Sequence, residues 1–391
     1  MFKFFNTLLT AQHLKTIYFG GTTKSILYKM KTVIISAITG LLLSISFKAS
    51  AQLNTPRGSQ AASIMQRVGI TDITIHYSRP RVNDREIWGK LVPYGMNDLG
   101  FGTSKAAPWR AGANENTTIT FTHDAKVEGK GIAAGTYGLH INVKDADNAT
   151  IIFSKDKDAW GSYFYDVAND ALRVDVELKD IEHVELLTFD FDDVNKNSAT
   201  VALKWEKKAI PFKIEVNVTE IVMEDIKAKF KGQKGFTRQH WEQAAGFALN
   251  NGGDLDEALN WINTALEGNF FSEKTVNGLA TKAQILQKKG DMEGFGKAMD
   301  EASTMANANQ LNRMGNYMLS VKDYNRALEY YNMNLEKDPN NATWLNSIAA
   351  AYKAKGDTKK AIKHYKKALD ANPSEKDKAN SEKHLKELGA L

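Results

Sequence analysis

Between residues 71 and 216, apolar side chains recur at every second position. Ile73, Ile75 and Tyr77 alternate with Thr74, His76 and Ser78, and Tyr137, Leu139, Ile141 and Val143 alternate with Gly138, His140 and Asn142. The same period runs through 119–121, 174–178, 187–191, 201–205 and 210–216. A period of two with one polar face predicts antiparallel strands over a shared core. Turn-forming clusters at 98–102, 128–131, 145–148 and 195–197 separate these runs. About eight or nine short strands without a long helix between them predict a β-sandwich or jelly roll. From residue 236 the period becomes helical. Gly253-Asp254, Gly290-Asp291, Lys322-Asp323 and Gly356-Asp357 mark tight turns between paired helices, at spacings of 37, 32 and 34 residues. The mixed, charged stretch 218–231 reads as a linker or a short helix. The chain therefore divides into an all-β part (52–217), a linker (218–235) and an all-α part (236–391). The polar, helix-prone end, 374–391, suits a helix that caps an open stack.

Within the helical part, Ala327-Leu328-Glu329-Tyr330-Tyr331, Leu335 and Pro339 recur as Ala361-Ile362-Lys363-His364-Tyr365, Leu369 and Pro373, always 34 residues on. That is the period of the tetratricopeptide repeat, and the segment 236–375 resembles an array of four such helix pairs. Ala327 and Ala361 stand where two helices approach too closely for a larger side chain. Tyr331 and Tyr365 fill the gap four residues on, and Pro339 and Pro373 stop the second helix. The second repeat keeps Leu279, Ala283 and Leu286, but Gly290, Gly294 and Gly296 predict a looser unit. The resemblance implies that the first helix of each pair lines a concave groove for a protein or peptide. Carried over, those positions are His240, Gln243 and Asn250 in the first repeat, Asn309, Asn312 and Asn316 in the third, and Asn346 in the fourth, flanked by Phe247, Leu319, Thr343, Ala350 and Lys353. Asparagine offers both a donor and an acceptor to the backbone of an extended peptide. The plainer reading is a row of solvated polar positions.

The β part carries segments unlike generic strand: Thr55-Pro56-Arg57-Gly58-Ser59, Tyr77-Ser78-Arg79-Pro80, Arg85-Glu86-Ile87-Trp88-Gly89, Leu91-Val92-Pro93-Tyr94-Gly95, Trp109-Arg110-Ala111-Gly112-Ala113-Asn114-Glu115-Asn116-Thr117, Gly135-Thr136-Tyr137-Gly138-Leu139 and Trp160-Gly161-Ser162-Tyr163. In this order, and closed by Leu203-Lys204-Trp205-Glu206 and 211–216, they resemble domain of unknown function 2911 over about 53–216. The resemblance implies an exported β-domain without a settled activity. Tyr77, Arg79, Arg85, Trp109, Arg110, Asn114 and Glu115 form the candidate ligand site. Guanidinium forks take carboxylates, and aromatic faces stack on sugars or cations, so a small anionic or glycan ligand fits. The competing reading makes the same residues internal: Arg–Glu pairs and Trp plugs at the ends of a sandwich.

Charge and composition narrow the field. The net charge of +5 arises in residues 1–51, which hold six Lys and no acidic residue; the remainder carries 45 basic and 46 acidic residues. Nothing there points to nucleic acid or an anionic membrane surface. Lys29 and Lys31 flank Met30, an apolar run follows, and Ala49-Ser50-Ala51 closes it. This is the pattern of a signal peptide over 30–51, cleaved before Gln52, with 1–29 an upstream extension. The run is too short for a stable membrane span. The expectation is a periplasmic or secreted chain. With no Cys there is neither disulfide nor thiol nucleophile. His76, His123, His140 and His183 are scattered without metal-ligand spacing, and Ser59, Ser78 and Ser162 lack a nucleophile elbow. No metal, cofactor or catalytic residue is expected. A non-enzymatic binding scaffold is the leading reading; the alternative is a hydrolase-like enzyme using the Arg/Glu/Trp cluster.

Overall fold

The computed structural model describes residues 55–391, so the expected leader and its cleavage site lie outside the described residues. Ten strands form two antiparallel sheets among the described residues. The larger contains β1 (Gln60–Val68), β2 (Thr71–Arg79), β3 (Thr118–Phe121), β6 (Gly135–Val143), β7 (Asn148–Ser154) and β8 (Asp170–Glu177), in the order β1-β2-β3-β6-β7-β8. The smaller runs β5-β4-β10-β9, from β4 (Ala125–Val127), β5 (Lys130–Ile132), β9 (Lys179–Asp192) and β10 (Ser198–Glu215). The predicted inward residues do face each other: Ile73, Ile75, Leu139, Ile141, Leu187, Phe189, Leu203, Phe212 and Ile214 all lie in one buried cluster.

One difference is informative. The runs 201–205 and 210–216 read as two strands, yet they are a single strand, β10. Its inward residues change phase, from Val201, Leu203 and Trp205 to Ile210, Phe212 and Ile214. The change of phase falls at Glu206, whose φ is +53°, and the ladder is irregular on both sides of it: from Lys204 to Glu206 and from Glu206 to Lys208, β9 advances from Thr188 to Val184 and from Val184 to Asp180. Such an irregularity resets the alternation without ending the strand.

Helix α1 (Val218–Phe230) occupies the expected linker. Asn217 caps it by accepting from the Glu220 amide. Val218, Ile221 and Val222 pack into the β core, while Met223, Ile226 and Phe230 pack into the helical core. The stretch is charged on its exposed face and apolar on two others, which explains why composition alone suggested a linker.

Nine further helices follow among the described residues: α2 (Arg238–Asn251), α3 (Leu255–Leu266), α4 (Val276–Lys289), α5 (Met292–Met305), α6 (Ala308–Ser320), α7 (Tyr324–Lys337), α8 (Ala342–Lys355), α9 (Thr358–Asp370) and α10 (Glu375–Glu387). The aspartates of the four turn signals are the N-caps of α3, α5, α7 and α9, each accepting from backbone amides of the first turn. Ala327, Ala361, Tyr331 and Tyr365 are fully buried, as the repeat requires. Gly315 is equally fixed: a Cβ there would stand 2.3 Å from the Tyr331 ring. The last helix, α10, packs on α8 and α9 and buries Ser381 and Leu385.

Candidate functional site

The structure divides the seven β-domain candidates rather than gathering them. Trp109 extends the large sheet by pairing its backbone with Ile141. Its side chain turns inward, stacks on Trp205 with ring centroids 5.9 Å apart, and meets Trp88 edge-on at 6.0 Å. Tyr77 is buried with its ring edge against Phe189. Arg79 donates from Nε to the Leu187 carbonyl at 2.8 Å and from Nη2 to Thr188, tying β2 to β9. Arg85 caps its own loop through the Val82 and Arg81 carbonyls. These four residues therefore brace the sandwich, and for Tyr77 and Trp109 the expectation of a ligand-facing ring gives way to a core role.

Arg110 takes the opposite side from Trp109, as adjacent residues of an extended backbone must. Its Nη1 donates to the Asn114 carbonyl at 2.8 Å, and its guanidinium lies 5.5 Å from the Tyr163 ring centroid. Gly161 makes room for it, since a Cβ there would sit 2.7 Å from Nη1. Asn114 donates to the Ser59 carbonyl, and Glu115 is exposed. The loop holding them is strained: Ala111 and Asn114 have φ of +52° and +62°.

Behind Arg110 lies a polar layer that the sequence patterning missed. The expected wet face of β6 is dry, because Gly138 and His140 are buried beneath the segment 155–169. His140 and Ser162 are each 2% exposed, and the hydroxyl of Ser162 lies 3.0 Å from Nδ1 of His140. Burial, reinforced by the Arg110 charge and opposed by Asp156, lowers the His140 pKa to about 4. A neutral imidazole therefore sits beside that hydroxyl near pH 7. The Tyr165 ring stands edge-on to His140, and its hydroxyl donates to Asp170 Oδ2 at 2.7 Å, which Arg173 also binds. Burial, then the Asp170 hydrogen bond, raises the Tyr165 pKa. Sheet register explains the convergence: His140 is opposite Ile152, which is opposite Arg173. The available signal was Trp160-Gly161-Ser162-Tyr163 together with His140, 22 residues apart in sequence and joined only by the fold. No group of His, Asp and Glu among the described residues is placed to hold a metal ion.

In the helical half the predicted groove positions are mostly engaged already. Asn346 is 5% exposed; it donates to the Asp377 carbonyl and accepts from Ser381, so it docks α10 instead of facing an open groove. Asn312 accepts from Ser347 at 2.9 Å, linking α6 to α8, and Asn316 accepts from Tyr331 at 2.6 Å. His240 Nδ1 meets the Lys234 carbonyl, and Asn250 donates within its own helix. Gln243 and Asn309 are exposed, and their side chains bond to no other described residue.

The family model described as a protein of unknown function (DUF2911) matches residues 59–214, and a tetratricopeptide repeat model matches 300–374. A DUF2911 match thus precedes a tetratricopeptide-repeat match along the chain, in the order that the motifs led one to expect. It is 36% identical over 86 residues to a photosystem I assembly protein, Ycf3, of Prochlorococcus marinus; the match covers 21% of this chain and 50% of that protein. The chain thus spans about half the length of the curated relative it matches. Among solved structures it is similar to MamA, at 16% identity over 39% of this chain and 88% of that one, with a TM-score of 0.30. YrrB, described as a TPR protein with an unusual peptide-binding site, aligns at 15% identity over 43% of this chain and 84% of that one, with a TM-score of 0.29.

Proposed function

We propose that this chain is an exported, non-enzymatic scaffold whose helical array docks an extended segment of another protein. The observation that carries this reading is the succession of first helices, α2, α4, α6 and α8, each preceding a partner that supplies the apolar seam. Such an arrangement leaves one side of the first helices for a ligand, and Gln243 and Asn309 remain open on it. A double variant, Gln243→Arg with Asn309→Arg, changes two exposed side chains and leaves the seams intact. A partner recovered from the host's envelope fraction, then purified, should bind the wild-type chain in calorimetry and lose at least tenfold in affinity for the variant. Unchanged affinity would overturn docking through this face.

The β-domain is proposed to bind a small anionic ligand at its Arg110 face. The hydrolase-like alternative has less support, because Trp109 and Tyr77 serve the core and the Ser162–His140 pair is closed to solvent. Export rests on the apolar run before Ala49-Ser50-Ala51. N-terminal sequencing of the protein from its host should give a chain beginning at Gln52; a start at Met1 or Met30 would overturn it.

A further inference from the structure

The array has a joint at its centre. The first helices of repeats one and two pack together, as do those of repeats three and four, whereas α4 and α6 part around a cleft of about 110 Å³. Val276, Ala280, Met299 and Met314 line its apolar part, and three side-chain amides (those of Asn277, Gln284 and Gln310), Arg313 and Tyr317 line the rest. An apolar cavity of roughly 150 Å³ accepts a benzene ring, so this cleft is on the scale of a single aliphatic side chain.

The second observation is electrostatic. The array contains three arginines. Arg238 is paired with Glu242 at 2.7 Å and Glu273 at 3.4 Å, and Arg326 with Asp300 at 3.3 Å and Asp323 at 3.6 Å. Arg313 has no hydrogen-bonding or ionic partner among the described residues, is exposed, and is the one charged side chain lining the cleft. Tyr317 is held in place through its hydroxyl by Gln287. An aromatic residue and an arginine beside a small pocket with an apolar part are the residue types that concentrate binding energy at interfaces.

We propose that this cleft seats one aliphatic side chain of an extended peptide segment and that Arg313 pairs with the side-chain carboxylate of a nearby Asp or Glu in the same segment. A lone guanidinium, without companion cations, suits an acidic side chain within a segment rather than a chain terminus. In an extended peptide, side chains two positions apart lie on the same face, so the expected signature is an aliphatic residue with an acidic one within two positions. This inference rests on the docking reading above and names the chemistry of its ligand.

The test is a selection from a random peptide library displayed as an internal insert, with no free carboxyl end, against the full mature chain. Wild-type protein should enrich peptides carrying the aliphatic–acidic pair. Arg313→Glu, an exposed change, should replace the acidic preference by a Lys or Arg preference. Ala280→Trp should fill the cleft and remove the aliphatic preference; thermal melts of both variants establish that they are folded. Synthetic peptides from the wild-type selection should bind Arg313→Glu at least tenfold more weakly. Enrichment of peptides without the pair, or a pair indifferent to both substitutions, overturns this inference and leaves docking intact. No enrichment by a folded wild-type chain overturns both.

Discussion

The two halves of this chain bury polar groups by opposite logics. In the helical array two polar side chains meet partners one repeat away: Asn312 with Ser347 and Asn346 with Ser381 are each separated by 35 residues. In the β-domain, neighbours in sequence part company. Trp109 joins the core while Arg110, the next residue, faces the Tyr163 side. A motif in a repeat array therefore describes one surface, whereas a motif in a strand or tight loop describes two. Grouping Trp109 with Arg110 as one site applied the first logic to the second kind of structure.

The sharpest way to break this comparison is to damage each core separately. Trp205 is fully buried between Trp109 and Trp88, so Trp205→Ala should destabilise the β-domain by about 3–5 kcal/mol. The repeats have their own buried cluster, which continues from Met223 to Ala351 without Trp205. The helical transition, followed by circular dichroism at 222 nm, should move far less than the β transition, followed by hydrogen exchange of the strand amides. Equal shifts would mean that α1, which packs into both cores, makes the halves one cooperative unit.

How much was legible follows from the same contrast. The repeat period located the alanines, tyrosines and capping aspartates, because helix packing at a fixed offset leaves a fixed pattern. The alternation located the inward face of both sheets. It failed on the outward face of β6, since a strand's own pattern does not show that another loop, 155–169, will cover it. It failed at Glu206 because the irregular ladder there changes phase within one strand. Of the asparagines expected to line a groove, Asn312, Asn316 and Asn346 are engaged by Ser347, Tyr331 and Ser381, which arrive from other elements and leave no mark on the asparagines' own helices.

The covered face makes a pH prediction. His140 titrates near 6.5 when unfolded and at about 4 when folded, so between these values the unfolded chain binds more protons. Stability should fall as pH drops through this window, by about 3 kcal/mol if the full difference is realised. The groups facing the ring are Ser162, Tyr165, Arg110 and Asp156. His140→Asn removes the titration and keeps a side chain that can bond Ser162. Melts at pH 7 and 4.5 should therefore show a smaller acid loss in the variant. An identical loss in both proteins would mean that His140 is solvated despite its burial.

Overpacking tests the repeat logic at smaller cost. Ala361 is fully buried between α8 and α9, so Ala361→Leu should lower stability by roughly 1–3 kcal/mol. Lys359, exposed on the same helix, should change stability by no more than about 0.5 kcal/mol on replacement by Ala. Similar losses from the two would mean that the helices do not approach closely at Ala361.

The smallest effect is expected at Glu115, and it bears most directly on whether the Arg110 face is open. A buried carboxylate paired with Arg110 would make Glu115→Gln strongly destabilising, because the change would leave a charge stranded in a poorly solvated site. Glu115 is instead exposed, and Arg110 is braced by the Asn114 carbonyl and the Tyr163 ring. Solvent screens whatever charge interactions Glu115 makes there, and exposed ion pairs contribute little. Its replacement by Gln keeps the size and the local hydrogen-bonding capacity of the side chain. The melting transition of the β-domain should therefore stay within about 0.5 kcal/mol of the wild type. A loss of several kcal/mol would place Glu115 inside the architecture of the strained 109–117 loop, and Arg110 would then belong to the structural set with Arg79 and Arg85 rather than to a ligand-facing one.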